Sequence, residues 1–75
     1  MTLKEGCQTI EVIVNGESRS VPHGLTLLKL LEWLGIEPAR VAVELNRSIV
    51  RQTDWGTTPV EPGAQLEIVQ FVGGG

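Results

Sequence analysis

The residues with the clearest chemical potential are the glycines of the C-terminal tail, Gly73, Gly74 and Gly75, which directly follow the apolar pair Phe71-Val72. Glycine loses more conformational entropy on ordering than any other residue, so three in a row predict a mobile segment. Without Cβ atoms the tail can enter a narrow channel, and nothing crowds a nucleophile that attacks the Gly75 carbonyl carbon. The pattern is typical of a tail that is threaded into another protein's active site. A frayed terminus is the simpler alternative.

The terminal carboxyl group of Gly75 needs activation before it can react. At neutral pH it is an ionised carboxylate, which is a poor electrophile without an acceptable leaving group. Chemistry at this position therefore requires a second protein that converts the carboxylate into a reactive acyl group.

Other residue types with chemical potential are few and isolated. Cys7 has no histidine or basic cluster near it in sequence to lower the pKa of its thiol, so we expect an ordinary cysteine. His23 lies in a Pro-His-Gly turn without a second histidine or a cysteine at ligand spacing, which predicts a solvent-exposed turn residue and no metal site. One histidine does not allow a nucleophile and base pair to be assembled, so we expect no intrinsic catalytic residues.

The composition indicates one small domain. The 75 residues include six Lys and Arg and nine Asp and Glu. Because no block of basic residues is present to bind a phosphate backbone, we do not expect nucleic acid as a partner. One cysteine forms no internal disulfide, and neither a signal peptide nor a membrane-spanning stretch is seen. We expect a single domain over residues 1–72, a flexible tail at residues 73–75 and a cytoplasmic location.

The elements that must position the tail follow from hydrophobic periodicity. Alternation over residues 10–14 places Ile10, Val12 and Val14 on one face of a strand, and Asn15-Gly16 favours a tight turn into a second strand over residues 17–21. A second hairpin is predicted from residues 41–45, the turn Asn46-Arg47-Ser48 and the pair at 49–50. An irregular crossing over 51–59 and a tight turn over 61–64 then lead into a last strand over residues 65–72.

One helix is predicted between the two hairpins. Thr26 is a suitable N-cap, and Gly35 can end the helix in the left-handed conformation. Leu27, Leu30, Leu31 and Leu34 share one face, which would lie on the sheet. We therefore expect an α+β fold, with one helix packed across one sheet of four to five strands.

With these elements in place, the sequence resembles the ThiS family of sulfur carrier proteins. The segments that carry the resemblance are residues 13–17, 25–28, 41–46 and 68–75, in the order and spacing of that family. The resemblance implies a ubiquitin-like β-grasp fold, a mixed sheet in which the first and last strands lie parallel at the centre.

The resemblance also implies a chemistry for Gly75. In similar proteins an E1-like adenylyltransferase of the ThiF type uses ATP and Mg²⁺ to convert the terminal carboxylate into an acyl-adenylate. Sulfur from a persulfide, commonly supplied by a cysteine desulfurase, then leaves a thiocarboxylate on the carrier. A thiazole synthase of the ThiG type takes that sulfur to build the thiazole ring of thiamine. The carrier itself is a co-substrate that binds no cofactor.

The last strand presents apolar residues on both faces, Leu66 and Ile68 on one and Val69 and Phe71 on the other, and a single helix cannot cover both. In the ThiS family the sheet surface near the tail docks the partner enzymes, so Val69, Phe71 and Val72 are the predicted docking residues. The alternative is that a loop residue such as Trp55 covers that face. Trp33 has two possible positions as well: at the edge of the core or in the docking patch.

The chain departs from the family pattern on the loop side. Many relatives carry Pro-Arg where this chain has Arg51-Gln52, and an Asn-Gly turn where it has Asn46-Arg47. Solvated arginines are the simpler interpretation of Arg47 and Arg51.

Three other functions remain open. The same tail chemistry could serve another acceptor, as in a molybdopterin synthase small subunit of the MoaD type or a carrier for tRNA thiolation. The protein could instead be a ubiquitin-like modifier joined to lysines. A passive binding module, in which the tail has no role, is the third.

Overall fold

The computed structural model describes residues 8–71, which form one mixed sheet and one α-helix. The five strands and the helix run in the predicted order. Their bounds are β1 Thr9–Val14, β2 Glu17–Pro22, α1 Leu27–Leu34, β3 Val41–Leu45, β4 Ser48–Val50 and β5 Gln65–Gln70.

The sheet has the strand order β2-β1-β5-β3-β4. β1 and β5 run parallel, with Ile13 opposite Gln65 and Val14 opposite Leu66, whereas every other neighbouring pair is antiparallel. The first and last strands are therefore adjacent and parallel in the middle of the sheet, as the resemblance implied. β5 is the central strand, with a hairpin on each side of it.

Both predicted hairpins are present, and their turns require a left-handed backbone. Asn15 and Gly16 have φ of 50° and 84° between β1 and β2, and Asn46 and Arg47 have φ of 51° and 74° between β3 and β4. Positive φ at both central positions matches the right-handed twist of the flanking strands. Arg47 occupies a position that glycine adopts at much lower cost.

The helix begins and ends where the sequence predicts. The side-chain hydroxyl of Thr26 accepts a hydrogen bond from the Lys29 backbone N–H at 3.3 Å. Gly35 adopts φ of 79°, and its N–H donates to the Glu32 carbonyl oxygen at 3.0 Å while the Ile36 N–H donates to Leu31 at 2.9 Å. These are the two bonds of a Schellman motif, which satisfies carbonyls at the helix end.

The hydrophobic core lies between α1 and one side of the sheet. Of the four leucines predicted to face the sheet, Leu27, Leu30 and Leu31 are fully buried and Leu34 is partly buried. The strands contribute the remaining side of the core through Val12, Val14, Val21, Val41, Val43 and Leu66. This side of the sheet is called the helix side below.

The structure corrects two predicted segments. Residues 51–59 are not irregular, because Gln52–Thr57 form a 3₁₀ helix that packs on α1 and buries Trp55. The last strand ends at Gln70, so the predicted extension through Phe71 is wrong, and the predicted end at Val72 lies outside the described residues. A second 3₁₀ helix, Pro38–Arg40, begins at a proline and was not predicted. Such short turns leave no periodicity in the sequence.

Among residues 8–71, no helix has the length and apolar character needed to cross a membrane.

Candidate functional site

The candidate site is built on β5, the strand that leads toward the tail. Successive side chains of a strand point to opposite faces, so Leu66 and Ile68 point to the helix side while Val69 points away from it. Leu66 is buried, whereas Val69 is 58% exposed and Phe71, just past the strand, is 57% exposed. The predicted pair Val69 and Phe71 therefore remains uncovered.

The open face, defined as the side of the sheet away from α1, carries a shallow groove. The groove has a volume of about 570 Å³. Its apolar outward-facing residues come from four strands: Ile13 of β1, Ala42 of β3, Ile49 of β4 and Val69 of β5. Ala42 lies directly opposite Val69 in the β3–β5 register. The groove thus places an apolar surface beside the last strand.

On the β1 side, β5 is fixed by Asn15. The Asn15 backbone N–H donates to the Leu66 carbonyl oxygen at 2.8 Å. Its side-chain Oδ1 accepts from the Ile68 N–H at 2.7 Å, and its Nδ2 donates to the Ile68 carbonyl oxygen at 3.2 Å. β1 ends at Val14, so it offers no backbone groups opposite Ile68. The amide side chain of Asn15 makes the hydrogen bonds that a longer β1 would have made there. The parallel pairing is extended toward the tail by two further hydrogen bonds.

On the β3 side, Asn46 fixes the beginning of the same strand. Its backbone N–H donates to the Gln65 carbonyl oxygen at 2.7 Å, and its Oδ1 accepts from the Gln65 N–H at 3.0 Å. At the other end of β5, the Phe71 N–H donates to the Arg40 carbonyl oxygen at 2.8 Å. The turn asparagines of both hairpins and the backbone before β3 therefore set the position from which the chain leaves the sheet.

Trp55 does not cover the open face. It is 2% exposed, belongs to the core on the helix side, and its indole N–H donates to the Val50 carbonyl oxygen at 2.9 Å. The alternative in which Trp55 folds over Val69 and Phe71 is therefore wrong. Trp33 is 51% exposed on α1 and lies outside the groove.

The structure places the other candidate residues as follows. His23 is exposed in a turn after β2, as predicted, and Arg47 and Arg51 are exposed. In the described part of the chain, no three His, Cys, Asp or Glu side chains come together as possible metal ligands. Cys7, Val72, Gly73, Gly74 and Gly75 lie outside the described residues.

Three residues of the open face were missed in the sequence. Ile49 is 75% exposed, Ile13 is 36% exposed, and Ala42 is exposed opposite Val69. A signal was available for Ile49, because adjacent apolar residues in a strand must point to opposite faces and Val50 follows it. Ile13 alternates with Val12 and Val14 in the same way.

The arrangement defines a class of protein. A mixed five-stranded sheet with parallel first and last strands at its centre, crossed by one helix, is the ubiquitin-like β-grasp fold. The structure matches the crystal structure of the thiamine biosynthesis protein (ThiS) from Geobacter metallireducens with a TM-score of 0.77 and 30% identity, covering 88% of this chain and all of that one.

Sequence comparison gives the family. Residues 12–75 match the ThiS family profile, and the chain belongs to the ThiS family. It is 29% identical over 66 residues to the sulfur carrier protein ThiS of Escherichia coli, covering 88% of this chain and 100% of that protein. It is also 39% identical over 66 residues to the thiazole synthase of Paramagnetospirillum magneticum, covering 88% of this chain. The chain spans only 20% of the length of that thiazole synthase.

Proposed function

We propose that this protein is a sulfur carrier for thiazole formation, with the Gly75 carboxyl group as the position that bears the sulfur. The observation that carries the proposal is the family match, which extends from Val12 through the tail to Gly75. The similarity to the sulfur carrier of Escherichia coli supports the same role.

The proposed chemistry is carried out by partner enzymes. An E1-like adenylyltransferase transfers AMP from Mg·ATP to the Gly75 carboxylate, releasing pyrophosphate and forming an acyl-adenylate. A persulfide attacks the acyl carbon and AMP leaves, which gives an acyl disulfide. A thiol then cleaves the S–S bond, so that the carrier keeps a thiocarboxylate and the two remaining sulfurs form a disulfide. A cysteine desulfurase is the proposed source of the persulfide sulfur.

The chain's own residues present the tail and contribute no catalytic group in this scheme. The asparagine bonds to Gln65, Leu66 and Ile68 hold β5 in place. The exposed side chains of Val69 and Phe71 lie beside the exit of the chain from the sheet. We assign these two residues to the docking of partner enzymes, because exposed apolar side chains beside a reactive tail favour binding over solvation. Val72, which follows Phe71 in the sequence, is assigned to the same role from its apolar character alone.

Thiazole synthase is the proposed sulfur acceptor. In two proteins named thiazole synthase, from Paramagnetospirillum magneticum and Magnetococcus marinus, a segment similar to most of this chain makes up 20% of the protein. A carrier-like segment within the same polypeptide supports a working relationship between the two. Thiazole synthase would take the sulfur of the thiocarboxylate that this chain carries.

The test is the intact mass of the protein after incubation with the adenylyltransferase, cysteine desulfurase, cysteine and Mg·ATP from the same organism. We expect a gain of about 16 Da, one oxygen replaced by sulfur, and no gain in a variant that lacks Gly74 and Gly75 or in a reaction without ATP. Absence of the gain with active partners would overturn the proposal. Adducts with lysines of other proteins would instead support a modifier.

The acceptor is tested in a second step. The thiocarboxylate form is mixed with thiazole synthase and, in parallel, with the large subunit of molybdopterin synthase. We expect loss of the sulfur mass only with thiazole synthase and its other substrates. Transfer only to the molybdopterin enzyme would move this chain to the alternative acceptor.

A further inference from the structure

The open face carries two carboxylates directly opposite each other. Glu44 of β3 and Glu67 of β5 are register partners in an antiparallel pair, and both line the groove. The hydrogen bonds of Asn46 with Gln65 and of Phe71 with Arg40 fix the alternation of the ladder, which makes Glu44 and Glu67 a hydrogen-bonded pair. Cα atoms in such a pair are about 5.5 Å apart and their side chains share one face. Like charges in this position destabilise a sheet.

Neither carboxylate forms an ion pair within 4.0 Å with a cation of the described residues. In the described part of the chain, residues 8–71, the ion pair with a nitrogen–oxygen distance below 4.0 Å joins Lys29 and Glu32 of the helix. Arg47 borders the groove but forms no such pair with Glu44 or Glu67 in this part of the chain. The third acidic side chain of the open face, Glu11, accepts a hydrogen bond from Ser18 at 3.0 Å. Among the described residues, no ion pair within 4.0 Å therefore offsets the like charges of Glu44 and Glu67.

Apolar residues surround this pair. Ile49 is the register partner of Glu44 on β4, and the pair Ala42 and Val69 comes next along the strands toward the tail. The groove thus offers two carboxylates between apolar walls. A complementary partner surface would place a cationic group between the two carboxylates and pack apolar atoms against Ile49 and Val69. An arginine or a lysine suits this arrangement, because its side chain has a charged end group and an aliphatic chain.

The same charges exclude other occupants. A second copy of this chain, packed with the same face, would set carboxylates against carboxylates. A phosphate backbone or an anionic membrane surface would be repelled by the pair. A protein partner with a basic residue flanked by apolar side chains is the occupant that fits both the charge and the hydrophobic walls.

We propose that Glu44 and Glu67 form a charge-selective docking site for a basic side chain of the adenylyltransferase that activates Gly75. The inference rests on the proposed function and adds the chemistry of the partner surface. Docking neutralises a repulsion that the free protein carries, so removal of the charges has opposite effects on binding and on the stability of the free domain.

The test compares two double variants with the same change in net charge. Glu44→Gln with Glu67→Gln alters the groove, whereas Glu37→Gln with Glu61→Gln alters exposed carboxylates outside it. Binding to the adenylyltransferase is measured by calorimetry at low and high salt, and unfolding of each free variant is measured in urea.

We expect the groove variant to bind the adenylyltransferase about tenfold more weakly than the wild type at low salt, and its affinity to depend less on salt. We expect its unfolding midpoint in urea to be at least as high as that of the wild type. The control variant should bind like the wild type. Equal binding by the two double variants, or loss of affinity accompanied by a less stable domain, would overturn the docking site. Failure of the wild type to bind the adenylyltransferase or to gain sulfur would overturn the proposed function as well. A normal gain of mass by the wild type, together with unchanged binding by the groove variant, would overturn only the docking site.

Discussion

The side chain of Asn15 is hydrogen bonded to both backbone groups of Ile68, a residue 53 positions away in sequence. Its Oδ1 accepts from the Ile68 N–H at 2.7 Å and its Nδ2 donates to the Ile68 carbonyl oxygen at 3.2 Å. One turn residue therefore has two functions. Its backbone makes the left-handed turn of the first hairpin, and its amide extends the pairing of β1 with β5.

Substitution of Asn15 by glycine separates these functions. Glycine keeps the positive φ of the turn but removes both side-chain bonds to Ile68. We expect a loss of about 2 kcal/mol in the free energy of unfolding, from two hydrogen bonds worth about 1 kcal/mol each. Urea denaturation measures the loss, and amide exchange should show faster opening at Ile68. An unchanged unfolding midpoint would mean that solvent replaces the asparagine at no cost.

Arg47→Gly should stabilise the protein. Arg47 has φ of 74°, where a side chain with a Cβ is strained, and Asn-Gly is the favoured pair for this type of turn. We expect a gain of about 1 kcal/mol, because relief of strain exceeds the extra entropy of glycine in the unfolded chain. The variant also serves as a control for Asn15→Gly, since it adds a glycine to the other hairpin. A lower urea midpoint would show that Arg47 makes stabilising contacts in solution.

Trp55 should contribute far more to stability than Trp33. Trp55→Phe keeps most of the buried ring but leaves the Val50 carbonyl without its indole donor, which we expect to cost about 1–3 kcal/mol. Trp33→Phe changes a side chain that is 51% exposed and should shift stability by less than about 0.5 kcal/mol. Equilibrium unfolding followed by circular dichroism avoids dependence on the tryptophan signal. Equal effects of the two substitutions would contradict the burial difference.

Val69→Thr and Phe71→Thr test the docking role of the exposed residues. Threonine is β-branched like valine, which suits the strand at Val69. Val69 and Phe71 are both more than half exposed, so each free variant should lose less than about 0.5 kcal/mol of stability. We expect the rate of thiocarboxylate formation at low carrier concentration to fall several-fold, with recovery at saturating carrier. Trp33→Thr, which changes an exposed apolar residue on the helix, is the matched control. Rates that match the wild type at every concentration would remove Val69 and Phe71 from the docking surface.

Local sequence patterns predicted the elements that depend on neighbouring residues. The Asn15-Gly16 turn, the Thr26 cap and the Gly35 end of the helix are all confirmed, because each depends on the φ preference or hydrogen bonding of one or two residues. The alternation of β5 predicted that Val69 points away from the side of Leu66 and Ile68, but it left open whether Trp55 covers that face. The parallel pairing of β1 with β5 was implied by the family resemblance and not by any local pattern.

Features that depend on distant contacts could not be read from the sequence. The place of Trp55 in the core is decided by packing against α1, and the 3₁₀ helix that carries it has no periodicity of its own. Side-chain bonds from Asn15 to Ile68 and from Asn46 to Gln65 join residues far apart in sequence. The opposition of Glu44 and Glu67 depends on the register of β3 with β5, which no sequence pattern predicted.

The central position of β5 couples the assembly of the sheet to the placement of the strand that precedes the tail in sequence. Without β5 the sheet would separate into the β1–β2 and β3–β4 hairpins, and an isolated two-stranded hairpin is marginally stable at best in water. Local fraying of this strand therefore removes the contact between the two halves of the sheet. Under the docking proposal, a partner enzyme that recognises the groove would bind only molecules whose two hairpins are already joined.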